Sequence, residues 1–160
     1  MVFERATMAD IDALTGLRLG YLTEESGPLT GEAVAAFRRT LPDYFRRNLG
    51  RALRAYVARE GGTCVACALL LMVDRPPSPR FPSGRTGTVY SVYTLPDYRR
   101  RGCARRLMEL LLEDARALNL CLVELKATQA GAPLYEALGF RDAPSPCRPL
   151  AWRPEYETVN

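Results

Sequence analysis

Six consecutive residues, Arg99-Arg100-Arg101-Gly102-Cys103-Ala104, join three guanidinium groups to a glycine and a small residue at the threshold of an amphipathic segment. Gly102 permits dihedrals closed to most residues, and Ala104 is small enough for close approach to a helix start. The first N–H groups of a helix have no intrahelical partner. With arginines around them they form an anion site, most naturally for a phosphate or pyrophosphate. A second pair of residues with chemical potential is Cys64 and Cys67, a lone Cys-x-x-Cys. On a strand, residues three apart face opposite sides, which opposes chelation. The chain has no histidine and no second such pair, so core packing is expected and no metal. Cys103 also lacks a histidine to activate it, which argues against a covalent cysteine intermediate.

The elements that must position the arginine loop are legible on both sides of it. Thr88 to Leu95 is rich in β-branched and aromatic residues and reads as a strand stopped by Pro96. From Ala104 the apolar residues Leu107, Leu111, Ala115 and Leu118 recur at helical spacing, with Arg105, Glu109, Glu113 and Arg116 on the other side. Upstream, Phe3 to Ala6 reads as a short strand, and Thr7 with Asp10 as a capping box opening a helix that ends near Glu25. A second helix starts near Gly31, and Pro42 is expected to divide it into Ala33–Thr40 and Tyr44–Ala52. Arg54–Arg59 and Thr63–Val73 read as a hairpin turned at Gly61-Gly62.

Arg75 to Gly87 is a proline-rich loop. It is favoured as a border of the site over an interdomain linker, with Arg80, Phe81 and Arg85 toward a substrate. Downstream, Leu120–Ala127 reads as a strand. Pro133 to Gly139 reads as a short helix, followed by a strand region at Phe140 and a proline-rich tail in which Leu150–Arg153 could pair. The sum is an α+β fold with a mixed sheet.

Composition narrows the class. A chain of 160 residues suits one domain, and 48% hydrophobic with 25% charged residues is ordinary for a globular protein. No apolar run would span a bilayer and the start, Met-Val-Phe-Glu-Arg, has no secretion signal, so the expected location is the cytoplasm. Five cysteines, an odd number, fit reduced thiols. The net charge of +4 is gathered partly in Arg99–Arg106 and suits a polyanionic ligand. Nucleic acid is not favoured, because no aromatic stacking series or recognition-helix motif accompanies the basic loop.

Tyr-Arg-Arg-Arg-Gly-Cys-Ala before a Leu-rich helix resembles the Arg-x-x-Gly-x-Gly/Ala signature of the GNAT superfamily of acyl-CoA-dependent N-acyltransferases. A second block, Ala127 to Phe140, contains Leu-Tyr-Glu-Ala-Leu-Gly-Phe and is similar to that superfamily's C-terminal element. The resemblance covers roughly residues 3 to 142 and is strong from 88 onward. It implies a mostly antiparallel central sheet flanked by helices, with strands four and five splayed and acetyl-CoA entering the V as co-substrate.

The resemblance also implies roles. Backbone groups of Val92, Tyr93 and Thr94 would bond the pantetheine arm, and one N–H among them would stabilise the oxyanion, an effect of about 3 kcal/mol for a good donor. Amides of Arg100, Arg101, Gly102, Cys103, Ala104 and Arg105 would hold the pyrophosphate, with Arg99 in the first position of the signature. Tyr135 would be the general acid to the departing thiolate. Thr128 stands where relatives often carry asparagine. Many relatives carry a glutamate on strand four, yet Thr88 to Leu95 contains no acid. Glu24, Glu25, Glu60 and Glu124 are candidate bases by position only, each read first as a surface or packing charge, and a water relayed by backbone carbonyls or an amine arriving neutral would serve instead.

The implied reaction is direct transfer of an acetyl group to a primary amine on a small molecule or peptide. The alternative is a non-catalytic acyl-CoA-binding or regulatory module. The tail could supply a homodimer interface.

Overall fold

The computed structural model describes residues 1–154. Strand β1 (Val2–Arg5) is followed by a 3-10 turn whose capping box is closed in both directions by Thr7 and Asp10. Helix α1 (Ile11–Ser26) runs on from it, and α2 (Gly31–Asn48) begins at the Thr30 cap. Strands β2 (Leu53–Glu60) and β3 (Thr63–Asp74) form the expected hairpin, with Gly61 and Gly62 at φ 57° and 82° supplying the left-handed turn. Strand β4 (Arg85–Thr94), helix α3 (Cys103–Ala117), strand β5 (Leu122–Glu124) and helix α4 (Ala132–Ala137) complete the order.

The sheet order is β1-β2-β3-β4-β5, antiparallel throughout except for the parallel β4–β5 pair. Successive β2 residues serve opposite faces. Ala55 and Val57 join a core with Leu14, Leu17 and Phe45 of α1 and α2, while Tyr56 and Ala58 join one with Leu107, Met108 and Leu111 of α3. Burial on both faces explains why β3 is apolar almost without a break from Cys64 to Val73. The α3 face also holds a buried carboxylate, Asp114, which accepts from Tyr56 Oη at 2.7 Å and from Arg5. Among the described residues no helix is long and apolar enough to cross a membrane.

Several expectations give way to tertiary context. Pro42 does not divide α2, which is continuous from Gly31 to Asn48. Its missing N–H would have bonded residue 38, which is exposed and so left to water, while the buried Phe45 and the neighbouring Leu41 and Tyr44 hold the following turn to the core. Cys64 and Cys67 do not face opposite sides either. Arg59 pairs with Cys64 but Ala58 with Ala66, so Val65 is the extra residue of a bulge and both cysteines enter the α1–α2 core. Cys67 is fully buried, which pushes its thiol up to about 12.

The proline-rich loop lies at the start of β4 and not at the end that leads to the arginines. There Arg85 donates to the Leu118 carbonyl at 2.7 Å, while Arg80 and Phe81 border the hollow beside β5 and α4 that also includes Tyr135. Strand β5 is shorter than Leu120–Ala127, and no strand forms between residues 138 and 154, where four prolines interrupt the ladder, so Phe140 and Leu150–Arg153 are unpaired.

Candidate active site

β4 and β5 pair only at Thr86–Leu122, Gly87–Val123 and Thr88–Glu124. β5 ends at Glu124, so beyond Thr88 the second edge of β4 has no partner strand among the described residues as far as Thr94. This is the splay expected between strands four and five.

A bulge shapes that free edge. Cys67 pairs with Tyr93 and Leu69 with Tyr90, so Ala68 faces both Ser91 and Val92, and Ser91 takes φ 49°. Ser91 is buried and accepts from an Arg18 guanidinium nitrogen of α1 at 2.6 Å. Leu95 N–H bonds the Val65 carbonyl across the ladder at 2.9 Å. Strand alternation then turns the N–H and C=O of Thr94 and Val92 to the open edge and those of Tyr93 to β3. The Thr94 carbonyl is taken by Arg99 Nε at 3.0 Å, so the open edge presents the N–H groups of Val92 and Thr94 and the carbonyl of Val92. The Tyr93 side chain is buried in the α1–α2 core against Gly20, where an added Cβ would lie 2.7 Å from the phenolic oxygen.

At the end of this edge the chain turns through Arg100 (φ 62°) and Gly102 (φ 78°) into α3. Gly102 caps the helix without a side-chain hydrogen bond, and the first helical bond runs from Arg106 N–H to the Gly102 carbonyl. The amides of Cys103, Ala104 and Arg105 thus lack intrahelical acceptors, as the sequence implied.

The arginines themselves divide. Arg99 pairs with Glu24 and lies over the Tyr93 ring, bracing α1 to the end of β4. Arg101 reaches Glu60 at 3.5 Å, and Arg105 reaches Glu109 at 3.9 Å. Cys103 is buried with its Sγ 3.3 Å from Met1 Sδ, and burial pushes its thiol up.

Tyr135 on α4 is half-buried, and burial alone raises its phenol above the usual value. Its ring meets Phe140 edge-on with centroids 6.0 Å apart. Thr128 turns out to be the anchor of this helix: its hydroxyl and carbonyl accept the Gly131 N–H at 3.1 and 3.0 Å, and its carbonyl also accepts from Ala132. A Cβ on Gly131 would touch both Thr128 Oγ1 and the Tyr135 ring, so the three residues are one packed unit.

The phenol of Tyr21 on α1 donates to Glu25 at 2.8 Å. Its proton affinity is raised by burial first, then by Glu25, with a smaller contribution from Tyr135. The four carboxylates singled out by position are all engaged: Glu24 with Arg99, Glu25 with Tyr21, Glu60 with Arg101 and Glu124 with Arg75. Only Glu24 and Glu25 belong to the helix that faces the bulge.

Two hollows adjoin these elements. A wide one of about 1100 Å3 lies beside β5 and α4, walled by the C-terminal half of α3 and including Tyr135. A smaller one of about 340 Å3 lies on the α1–α2 face and brings together Arg18, Tyr44 and Tyr90. These three and Ser91 were not legible as site residues. Their signal is a long-range register shift, which sequence periodicity does not carry.

The model of the Acetyltransferase (GNAT) family matches residues 21–140. The [Ribosomal protein bS18]-alanine N-acetyltransferase of Escherichia coli K12 is 37% identical over 59 residues, 35% of this chain and 40% of that protein. The N-alpha-acetyltransferase RimI of Mycobacterium tuberculosis is 33% identical over 101 residues, 62% of this chain and 60% of that protein. The matched stretches thus span between two and three fifths of those relatives' lengths. Among solved structures, a predicted acetyltransferase from Clostridium acetobutylicum with acetyl-CoA superposes with a TM-score of 0.80 at 28% identity, covering 94% of this chain and 95% of the other. A GCN5-related N-acetyltransferase from Ralstonia eutropha JMP134 shares the fold with a TM-score of 0.77 at 22% identity, covering 93% and 97%. With both sequence blocks in place around a splayed β4–β5 edge, the chain belongs to the GNAT acetyltransferase family.

Proposed function

We propose that this chain, acting as one domain, transfers an acetyl group from acetyl-CoA to a primary amine by direct attack, with no acyl-enzyme. The observation that carries the reading is the edge of β4 beyond Thr88, unpaired among the described residues, which leads to the orphan amides of α3. Acetyl-CoA supplies the activated acyl group. The α3 N-terminus suits its diphosphate: Gly102 is already in the left-handed conformation, no side chain caps the helix, and a Cβ there would meet nothing within 4 Å. The open edge of β4 suits the amide-bearing arm as an added strand would, through Val92 in particular.

Within that arrangement each group has a task. The Val92 N–H donates to the thioester carbonyl, where charge grows during attack. Tyr135 holds a proton for the leaving sulfur as the C–S bond breaks, and its raised proton affinity keeps it in the acid form at neutral pH. The proton lost by the attacking nitrogen goes to water, from which the phenol is recharged. Arg99 works at one remove. By occupying the Thr94 carbonyl and Glu24 it fixes the end of β4.

The test is a pair of measurements on the intact chain. Calorimetry should detect acetyl-CoA uptake, and thiol release should follow when an amine panel is added. Uptake without release from any amine would leave a binding module instead, and no uptake would end the proposal.

A further inference from the structure

The 340 Å3 pocket on the α1–α2 face is near the lower end of the range for small-ligand sites. Its walls are leucines from α2, β2 and β3, including Leu41, Leu53, Leu69 and Leu71. Its polar groups are the phenols of Tyr44 and Tyr90 and the guanidinium of Arg18, and none of the lining residues is acidic. All three line the one pocket, and the Tyr44 phenol is raised first by burial and then by Tyr90, and is lowered by Arg18.

Arg18 is half-buried. One nitrogen donates to Ser91 Oγ at 2.6 Å, the guanidinium lies 5.2 Å from the Tyr21 ring centroid, and among the described residues no carboxylate forms an ion pair with it. A guanidinium carries five donors, and one taken out of bulk water finds its strongest partner in an anion.

We infer that this pocket selects the acceptor and that the acceptor is an apolar α-amino acid. Its carboxylate lies on Arg18 and its side chain among the leucines, under the two phenols. The inference rests on the transferase reading. Arg18 is pinned to Ser91, and the next residue, Val92, bears an N–H turned to the open β4 edge. An α-amino group is separated from its carboxylate by a single carbon, so a carboxylate on Arg18 brings the amine to the bulge, at the mouth of the β4–β5 opening. A polyamine or a lysine side chain would meet a fixed cation there and no anion. A peptide N-terminus would offer Arg18 a neutral carbonyl in place of a charge-assisted pair.

Two readouts separate this inference from the reading beneath it. Ligand-observed NMR compares binding of L-phenylalanine, L-phenylalaninamide, a Phe-initiated tripeptide and spermidine to the intact chain. Thiol release from acetyl-CoA is then measured with the same four amines. Phenylalanine should bind at least about tenfold more tightly than its amide, and Arg18→Met should abolish that preference. Leu71→Trp, which narrows the pocket but keeps Arg18, should weaken phenylalanine binding by about tenfold, and a thermal melt reports whether each variant folds.

Acid-selective binding lost in Arg18→Met, with thiol release, supports both ideas. Acid-selective binding with no release from any amine upholds the pocket and sinks the transferase. Release with the amide, peptide or spermidine equal to or above the acid overturns the amino-acid inference and leaves the transferase intact. Neither selective binding nor release overturns both.

Discussion

Removing one oxygen, in Tyr135→Phe, is the sharpest test of the proposed chemistry. Among the described residues the phenolic oxygen of Tyr135 makes no hydrogen bond, while its ring packs against Phe140 at 6.0 Å and over Gly131. Deleting the oxygen therefore leaves the packing in place, and the stability change should stay within about 0.5 kcal/mol. Acetyl-CoA affinity should also hold, since the amides of α3 and the edge of β4 are untouched. If the phenol delivers the proton to the departing sulfur, kcat should fall roughly a hundredfold to ten-thousandfold, equivalent to about 3–5 kcal/mol of barrier.

The pH dependence has a definite sign. Burial raises the Tyr135 phenol, so the acid form persists beyond the ordinary tyrosine value near 10, and the alkaline limb due to this group should lie above about pH 10. The Phe variant should lack that limb. The assay is initial-rate thiol release at saturating acetyl-CoA, with calorimetry and a thermal melt as controls. A folded, coenzyme-binding variant whose kcat lies within threefold of the parent would refute the assignment.

Other substitutions report on neighbouring features. Gly102→Val meets no steric obstacle but forces a β-branched residue to φ 78°, so acetyl-CoA affinity should fall by about tenfold or more as the α3 amides re-aim, read by calorimetry. Gly20→Val should displace the Tyr93 ring, which a Cβ would approach to 2.7 Å, and cost about 1–3 kcal/mol in denaturant unfolding. Asp114→Ala leaves the buried Tyr56 hydroxyl without its acceptor and should cost about 1–3 kcal/mol. Arg5 and Tyr56 hold Asp114 below the usual carboxylate range despite its burial. Its contribution is thus present above about pH 4 and lost on acidification through the lower folded value, and the Ala variant should show a shallower acid limb in a pH-dependent melt.

Local signals carried far in this chain. The Thr7–Asp10 cap, the Gly61-Gly62 turn and the Leu107–Leu111 helical stripe each depend on residues within a few positions of one another, and all three are present as read. The loop before α3 was legible for the same reason: its glycine conformation and free amides are properties of the backbone there. The Leu-Tyr-Glu-Ala-Leu-Gly-Phe block likewise marked α4 and Tyr135.

What sequence periodicity could not convey was register. One extra residue at Val65 returned both cysteines to one core, and another at Ser91–Val92 kept Tyr90 and Ser91 together on the α1–α2 face. Pro42 stayed within α2 because distant core contacts outweighed a local break. The chain alone thus determined its family, the turn proposed to take an anion and its candidate acid. Tertiary structure alone decided which cation stands beside the bulge, since Arg18 and Ser91 are 73 positions apart and meet only once helix and sheet have packed.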